Sequence, residues 1–447
     1  MTLTLPRLLP VCAALVTAAM LLPANARCVD EDNVETRPSS NTNGAPIDAA
    51  TARINLQNMV MEALRRSQAI GATKLLAEAA RIDVDEARAG YWPQVTANGF
   101  IGGTQNRLTD VEEVSGKQGR AGVTLTAPLF DAGRTGQLVD WRKNLAESAR
   151  LGEINAQEQV ALQTVSLAVE RARYRLQAQV YQQYSRKMSC LVEALETIVR
   201  ADRGRASELV QAQKTQQQAD ISQQQTLSMV RQIETRLRRF VGDALPPADG
   251  LSNLLLAPPA LPDLLAQAES AVDIAQLAAQ AQAAEAYSRS VAASRWPQVS
   301  VVANGNQTRG VGNSTNWAAG VNVNVPLFNL PLGYQVDSSE KRAAAAKLQR
   351  EDALDARRFR MTEVHEQATA AFDRARSVVT VLRDSDRLRN FTMQQWQQLG
   401  RRSLFDVMAA ESEHYSLRVA YVNALYDGQQ STALLWSLGL GVLPQLR

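Results

Sequence analysis

Large rings are scarce in this chain: Phe, Trp and Tyr make up 5% of its 447 residues. The length would serve two or three ordinary domains, but so few aromatics do not furnish large globular cores. Histidine is scarcer still. His365 and His414 stand far apart, and the three cysteines are not spaced with them as a metal or catalytic cluster. Neither a glycine-rich nucleotide loop nor a nucleophile elbow is present, so the sequence points away from an enzyme, implies no cofactor, and leaves the energy for any work to a partner. Net charge is only +3 and no Lys/Arg-rich run stands out, which argues against nucleic acid as a partner. Beyond the N-terminal region no segment reaches the roughly 20 apolar residues of a transmembrane helix. Entry into a bilayer would therefore have to be made by strands. Proline is missing between Pro128 and Pro246 and again between Pro331 and Pro444.

The N-terminus reads as a signal peptide over residues 1–26. Arg7 supplies the positive end, Leu8 to Leu22 the apolar stretch, and Ala24-Asn25-Ala26 a small-x-small cleavage site. A membrane anchor is the alternative, but the stretch is short for a span. Cys28 follows the expected cleavage without a Leu-x-Gly-Cys lipidation signal. A disulfide between Cys28 and Cys190 is open to an exported chain, with unpaired thiols the simpler expectation.

What is present is a duplication. Trp92-Pro93-Gln94-Val95 returns as Trp296-Pro297-Gln298-Val299, Pro128-Leu129-Phe130 as Pro326-Leu327-Phe328, and Gly204-Arg205-Ala206-Ser207 as Gly400-Arg401-Arg402-Ser403. Three landmarks in one order mark two repeats, 50–245 and 262–441. Around them lie an N-terminal segment 27–49, a linker 246–261 and a tail 442–447. Each repeat has one grammar. A helix ends at the Trp-Pro (Ala50 to Gly90; Pro262 to Ser294), and two strand-like segments follow (93–102 and 120–129; 297–306 and 317–327). A very long helix comes next, then a return helix of about 35 residues. Tyr334 to Leu399 holds neither glycine nor proline, and its 66 residues would span about 100 Å. Tyr184, Met188, Leu191, Leu195 and Ile198 form a heptad seam, and Met408, Tyr415 and Val422 step by seven. Seams this narrow suit long helices in a thin wet wall, or a soluble coiled coil.

The strands separate those two readings. Val321, Val323, Val325 and Leu327 alternate with Asn322 and Asn324, and Val123, Leu125, Ala127 and Leu129 alternate with Thr124 and Thr126. Val302 breaks the same alternation in 297–306. One apolar and one polar face, each segment about ten residues long, fit tilted membrane strands. Tyr91, Trp92, Phe130, Trp296 and Phe328 stand at their ends, where an aromatic girdle belongs. Ordinary hairpins packed on the helices are the alternative. In lipid a sheet edge must close, and four strands are too few, so subunits would share a barrel: eight strands from two chains or twelve from three.

With its duplicated order, "WPQV" strand starts, "PLF" strand ends and Gly-x-x-Ser turns, the chain resembles the TolC family of outer-membrane channels over roughly residues 50 to 441. The resemblance implies a mainly α fold with membrane β structure: a homotrimer with a 12-stranded β-barrel in outer-membrane lipid on a 12-helix periplasmic α-barrel. It also implies a periplasmic adaptor and an inner-membrane ATPase or proton-driven pump as partners. The stretch "GRRSLFDVMAAESEHYSLRVAYVNALYDG" looks most like the branch serving type I protein secretion of a toxin or adhesin. A small-molecule efflux duct is the alternative, and a periplasmic coiled-coil scaffold is the reading from another class. The resemblance makes the turns the periplasmic tip, where an adaptor docks on Gly204, Arg205, Ser207, Gly400, Arg401 and Ser403. A gate would use Asp406, Arg402 and Glu208. The first repeat departs from this pattern with Val210 at the position matching Asp406, and Ala409 stands where a second acid is expected. Ser403-x-x-Asp406 also reads simply as a capping box.

Overall fold

The computed structural model describes residues 49–106, 114–248, 250–399 and 401–446. The expected signal peptide, Cys28 and Gly400 lie outside them. In the first repeat α1 (Ala49–Arg66) and α2 (Gln68–Ala89) lead into β1 (Gln94–Asn106) and β2 (Val114–Phe130), then α3 (Arg134–Ala201) and α4 (Ala206–Val241). In the second, α5 (Leu261–Gln267) and α6 (Val272–Ala293) lead into β3 (Gln298–Gly310) and β4 (Ser314–Asn324), then α7 (Leu330–Leu399) and α8 (Leu404–Leu438); α9 (Val442–Leu446) follows. The fold is mainly helical, with one small antiparallel sheet in the order β1-β2-β3-β4.

The long helices run as the sequence implies. α3 has 68 residues and α7 has 70, each about 100 Å long. The helices before the strands do not run unbroken. The expected Ala50 to Gly90 helix stops at Arg66, because the Ser67 side chain caps α2 by accepting from the Ile70 N–H at 3.4 Å. The expected Pro262 to Ser294 helix breaks where Ala271 takes an extended conformation. Leu264, Ala268, Ala271 and Ile274 are thereby buried with Met361, Val364 and Leu435 of α7 and α8. That packing outweighs the helix propensity of an alanine-rich run.

The two repeats interlock. The seam of α3 meets the seam of α8 in one buried cluster holding Tyr184, Met188, Leu191, Leu195, Met408 and Tyr415, with the Tyr184 and Tyr415 rings stacked 4.8 Å apart. α7 and α8 pack tightly at Gly428, where a Cβ would stand 2.8 Å from the Phe372 ring. Nearer the middle, α1, α3, α4, α8 and α9 share a second cluster around Val60, Val165, Leu237, Ala433 and Val442.

Polar groups hold the connections to this middle region. Buried Arg171 bonds Glu234 at 2.8 Å and the Pro246 carbonyl at 2.6 Å. Gln429 donates to the carbonyls of Leu251, Ser252 and Leu254, so the linker is fastened to α8. Arg357 donates to the carbonyls of Ser437 and Leu438 and pairs with Asp273, closing the C-terminus of α8. Cys190 is disulfide-bonded, which corrects the expectation of unpaired thiols. Cys12 and Cys28, the other cysteines of the chain, lie outside the described residues.

Glu158 fastens the chain's last helix. Its Oε2 accepts the N–H groups of Val442 at 2.7 Å and Leu443 at 3.4 Å, the first turn of α9. Burial pushes this carboxyl above the usual carboxylate range, against the pull of those two donors. A carboxyl so raised binds its proton more readily folded than unfolded. The linked stability is fully present below the ordinary value of 4.5 and is lost as pH rises through the raised one. We therefore expect the parent to lose stability relative to Glu158→Gln between mildly acid pH and neutrality, read by thermal unfolding in detergent. Parallel pH profiles for the two proteins would contradict the coupling.

Candidate functional site

Two features stand at opposite ends of the long helices: the sheet and the two tight turns. The sheet's register sorts its side chains. Val95, Leu125, Ala303 and Ala319 lie in one row; Ala97, Val123, Gly305 and Trp317 in the next; Ala127, Val301 and Val321 in another. Side chains alternate along a strand, so these rows share one apolar face. Thr96, Thr124, Asn304 and Ala318 share the opposite face, as do Asn98, Gly122, Asn306 and Asn316. A Cβ at Gly122 would stand 2.1 Å from the Asn306 amide oxygen and 2.7 Å from that of Asn98. Two asparagines thus close over one glycine on the polar face. Val302, the residue that broke the alternation, lies on that face opposite Thr126 and Gly320, where there is room for it.

Proline sets two departures from the expected strands. Pro128 lacks the N–H of a ladder, and the register with β3 slips between Pro128 and Phe130. Phe130, rather than Leu129, therefore stands opposite Val299. β4 ends at Asn324, not at Leu327, because Pro326 cannot continue the pairing. The distal ends run longer than expected, so the strands hold 13, 17, 13 and 11 residues.

The structure gathers the five predicted aromatics at one end. Tyr91, Trp92, Phe130, Trp296 and Phe328 all flank the helix-proximal ends of the strands, and all are exposed. Sequence reasoning missed Trp317, which is 82% exposed on the apolar face. The signal was available: Trp317 shares parity with Ala319, Val321 and Val323. The sheet is bare on both faces, and no residue of β4 is buried. β1 and β4 are its edges, each paired on one side only.

At the other end the two turns differ. Ser403 caps α8 by accepting from the Asp406 N–H at 3.2 Å, and Asp406 Oδ2 accepts from the Ser403 N–H at 3.2 Å. That completes the capping box. Arg402 reaches Asp406 at 3.9 Å with both side chains half exposed, and its Nε donates to Gln395. In the first turn the cap falls elsewhere. Asp202 accepts from the Gly204 N–H at 2.9 Å and starts a short 3₁₀ turn over Arg203–Arg205. Ser207 then lies inside α4 and is not its cap. Glu208 carries a buried Oε2 without a hydrogen-bond partner. Among the described residues no ion pair joins Glu208 to Arg402 or Asp406.

A few turns from the tip lies a belt of buried charge that the sequence did not disclose. Lys187 of α3 and Arg389 of α7 flank Glu411 of α8 at 3.9 and 3.7 Å, and Arg389 also bonds Asp386 at 2.9 Å. His414, read as a lone histidine, is buried one helical turn further along, edge-on to Tyr415. Three helices from both repeats are tied at one level. Between α3, α4 and α8 a cleft of about 560 Å³ opens beside this belt, lined by Tyr181, Gln211, Thr215, Phe405 and Ser412. Removing the acid should expose its importance: we expect Glu411→Leu to cost roughly 3 kcal/mol by stranding buried cations. Chemical denaturation of the purified protein checks this, and a loss within the error of the parent would show that the cations are solvated.

Comparison with known proteins adds the fold's relatives. A family model described as "Outer membrane efflux protein" matches residues 59–243, from within α1 to just past α4. No curated protein sequence matches the chain. Among solved structures, CusC, described in connection with transmembrane channel formation, is 15% identical, covers 89% of this chain and 93% of its own, and superposes with a TM-score of 0.76. The outer membrane protein VceC of Vibrio cholerae is 17% identical, with 89% and 100% covered and a TM-score of 0.74. The CmeC outer membrane channel of Campylobacter jejuni is 13% identical, with 89% and 90% covered and a TM-score of 0.73. Likeness at these identities shows a shared fold.

Proposed function

We propose that this chain is the outer-membrane exit duct of a tripartite export system. The observation that carries this reading is the bare four-stranded sheet, apolar on one face and polar on the other, at the end of helical hairpins about 100 Å long. The sheet cannot remain in lipid with two open edges. Three copies, as the TolC resemblance implies, close it as twelve strands with a wet lumen, and their helices extend the duct through the periplasm. Two supports stand beside it: the family model over the first repeat, and the likeness to solved channels over most of the chain. In this reading the exposed aromatics form the periplasmic girdle, and Gly204, Arg205, Ser207, Gly400, Arg401 and Ser403 belong to the surface an adaptor grips. An inner-membrane ATPase or proton-driven pump supplies the energy.

For the cargo, the stretch from Gly400 to Gly428 favours type I secretion of a protein. The word "efflux" in the matching family description favours the second reading, a duct for small molecules. A deletion strain separates them. Loss of one secreted protein with unchanged sensitivity to toxic compounds supports secretion; hypersensitivity with an unchanged secretome supports efflux.

The faces of the sheet are open to direct test. Leu125, well inside the sheet from the girdle residue Phe130, lies on the apolar face and Thr124 on the polar one. An arginine facing lipid near the bilayer midplane costs roughly 2–4 kcal/mol. We expect Leu125→Arg to abolish the heat-resistant trimer and Thr124→Arg to preserve it, read by gel mobility before and after boiling. Equal mobility of both variants would remove the barrel reading.

Asp406 does two jobs in the proposal. It caps α8, and three copies ring the tip as the gate's negative charge, with Arg402 beside each and Glu208 on the neighbouring turn. The observed 3.9 Å pair is exposed, so each such bridge contributes only about 0–1 kcal/mol and opening by its loss is partial. We expect Asp406→Ala to lower cation selectivity of trimers in planar bilayers, and Arg402→Ala to raise conductance modestly. Parent values in both variants would leave Asp406 a helix cap and place the constriction elsewhere.

A further inference from the structure

The four strands carry three charged side chains among their described residues: Lys117, Arg120 and Arg309. All are basic, and all lie in the half of the sheet farther from the helices. Register divides them. Arg120 lies with Phe100 and Thr308 on the polar face. Arg309 stands opposite Gly119, and Lys117 opposite Gly103, on the apolar face. Lys117 is two residues from Gly119 along β2, so it is the diagonal neighbour of Arg309, with Cβ atoms about 7–8 Å apart. Both side chains are exposed.

Beneath this pair the sheet has a cleft of about 660 Å³, with Lys117 just beyond its lining; it is lined at the polar-face positions Phe100 and Arg120, and otherwise by Gly99, Ile101, Gly119, Ala121, Gln307 and Arg309. These last six share the apolar face. Neither Gly99 nor Gly119 has a side chain to fill the hollow, while Ile101 stands 94% exposed along its rim. The cleft therefore runs from an apolar floor to a cationic mouth. An exposed cation on a lipid-facing strand is costly at the bilayer midplane and nearly free at the interface. Two of them side by side, with no acidic side chain anywhere on the described strands, match a headgroup carrying phosphate.

We propose that this cleft binds a phosphate-bearing lipid of the leaflet farther from the helices, one acyl chain lying over Gly99 and Gly119 and a headgroup phosphate held by Arg309 and Lys117. The proposal rests on the barrel reading above, which puts this face in lipid and the far end of the sheet at the outer leaflet. The lipid would act as an annular ligand that sets the depth of the barrel.

The probe is lipid A in vesicles of neutral phosphocholine lipid, with the full-length parent, Lys117→Ser/Arg309→Ser, and Gly119→Leu. A Cβ built at Gly119 meets nothing within 4 Å, so the leucine fills the cleft without displacing backbone and leaves both cations in place. Retained lipid is counted by native mass spectrometry after extraction into neutral detergent. Each cation near an anionic headgroup contributes on the order of fivefold, so the double variant should retain about twenty-five-fold less lipid A than the parent. Gly119→Leu should also lose it. Equal retention by all three proteins, loss in the double variant alone, or displacement of the lipid from the parent by inorganic phosphate would each overturn the proposal. Trimer stability and conductance in pure phosphocholine vesicles are recorded alongside. Normal values there with no lipid A retained sink the lipid site and leave the barrel standing. Failure of the parent to form a trimer in any vesicle removes the barrel reading and the lipid site with it.

Discussion

An open sheet edge is the constraint on which the rest of this molecule turns. β1 and β4 each present a row of backbone donors and acceptors with no strand partner among the described residues, and such groups must be paired wherever water is excluded. Among the described residues the extensive packing runs helix to helix and strand to strand, and no helix packs extensively on the sheet. The apolar face compounds the problem. Val95, Val123, Val321, Val323 and Trp317 are exposed together, an arrangement that a water-soluble monomer avoids. Edge and face ask for the same remedy: further strands at the edges and lipid against the face. The polar face, with its asparagine and threonine rows, asks for water. A closed ring of sheets answers all three demands at once, which is why the proposed assembly follows from the sheet more than from the helices.

Given that ring, the helices have to be long, thin and interlocked. In the proposed assembly each protomer would supply only two hairpins to a wall around a wide opening, so no thick core would be available to stiffen it. The structure compensates by crossing the repeats. α3 of the first packs its seam on α8 of the second, with tyrosine stacked on tyrosine. Loose ends are fastened by polar groups in the middle region. Gln429 holds three carbonyls of the linker, Arg357 two carbonyls at the end of α8, and Glu158 the first turn of α9. These are buried or half-buried bonds to backbone. They fix position at little cost in side-chain freedom, since one side chain satisfies several groups at once.

The parts of this design that were legible in the sequence are those written in local pattern. Two spans without proline announced the long helices, and strict alternation announced the strands. The repeated Trp-Pro-Gln-Val placed the starts of β1 and β3 to within a residue, whereas β2 and β4 begin six and three residues before the expected 120 and 317. What escaped was non-local. Glu411 and Arg389 sit on long charged helices, where a charge reads as solvated. Only the meeting of α3, α7 and α8 buries them. The Ser67 and Ala271 breaks were hidden because their flanks are good helix formers, and packing decides where such a run is cut. The two turns share Gly-x-x-Ser, yet only Ser403 became a cap. Asp202 supplies an earlier acceptor in the first turn and draws the cap to itself. Trp317 was legible by parity and was passed over because its neighbours are small.

The distribution of stabilising contacts also says where the tip can yield. About two to four helical turns from the turns themselves, Glu411 ties α3, α7 and α8 together with buried cations, and the aromatic seam lies alongside. Breaking that belt would strand charge in a low-dielectric interior. Beyond it the contacts change character. The Arg402–Asp406 pair is half exposed and long, Gln395 accepts from the Arg402 Nε at 3.3 Å, and Asp202 to Arg205 are held by one Asx-type cap and two backbone bonds. Local opening free energies follow such differences, being lowest where bonds are exposed and apolar contacts few. In the proposed function a gate at this tip would work by movement of the turns, while the belt and the buried Leu404 and Val407 at the start of α8 keep the hairpins in register behind it. A partner pulling on the turns would then meet a softer end mounted on a firmly packed shaft.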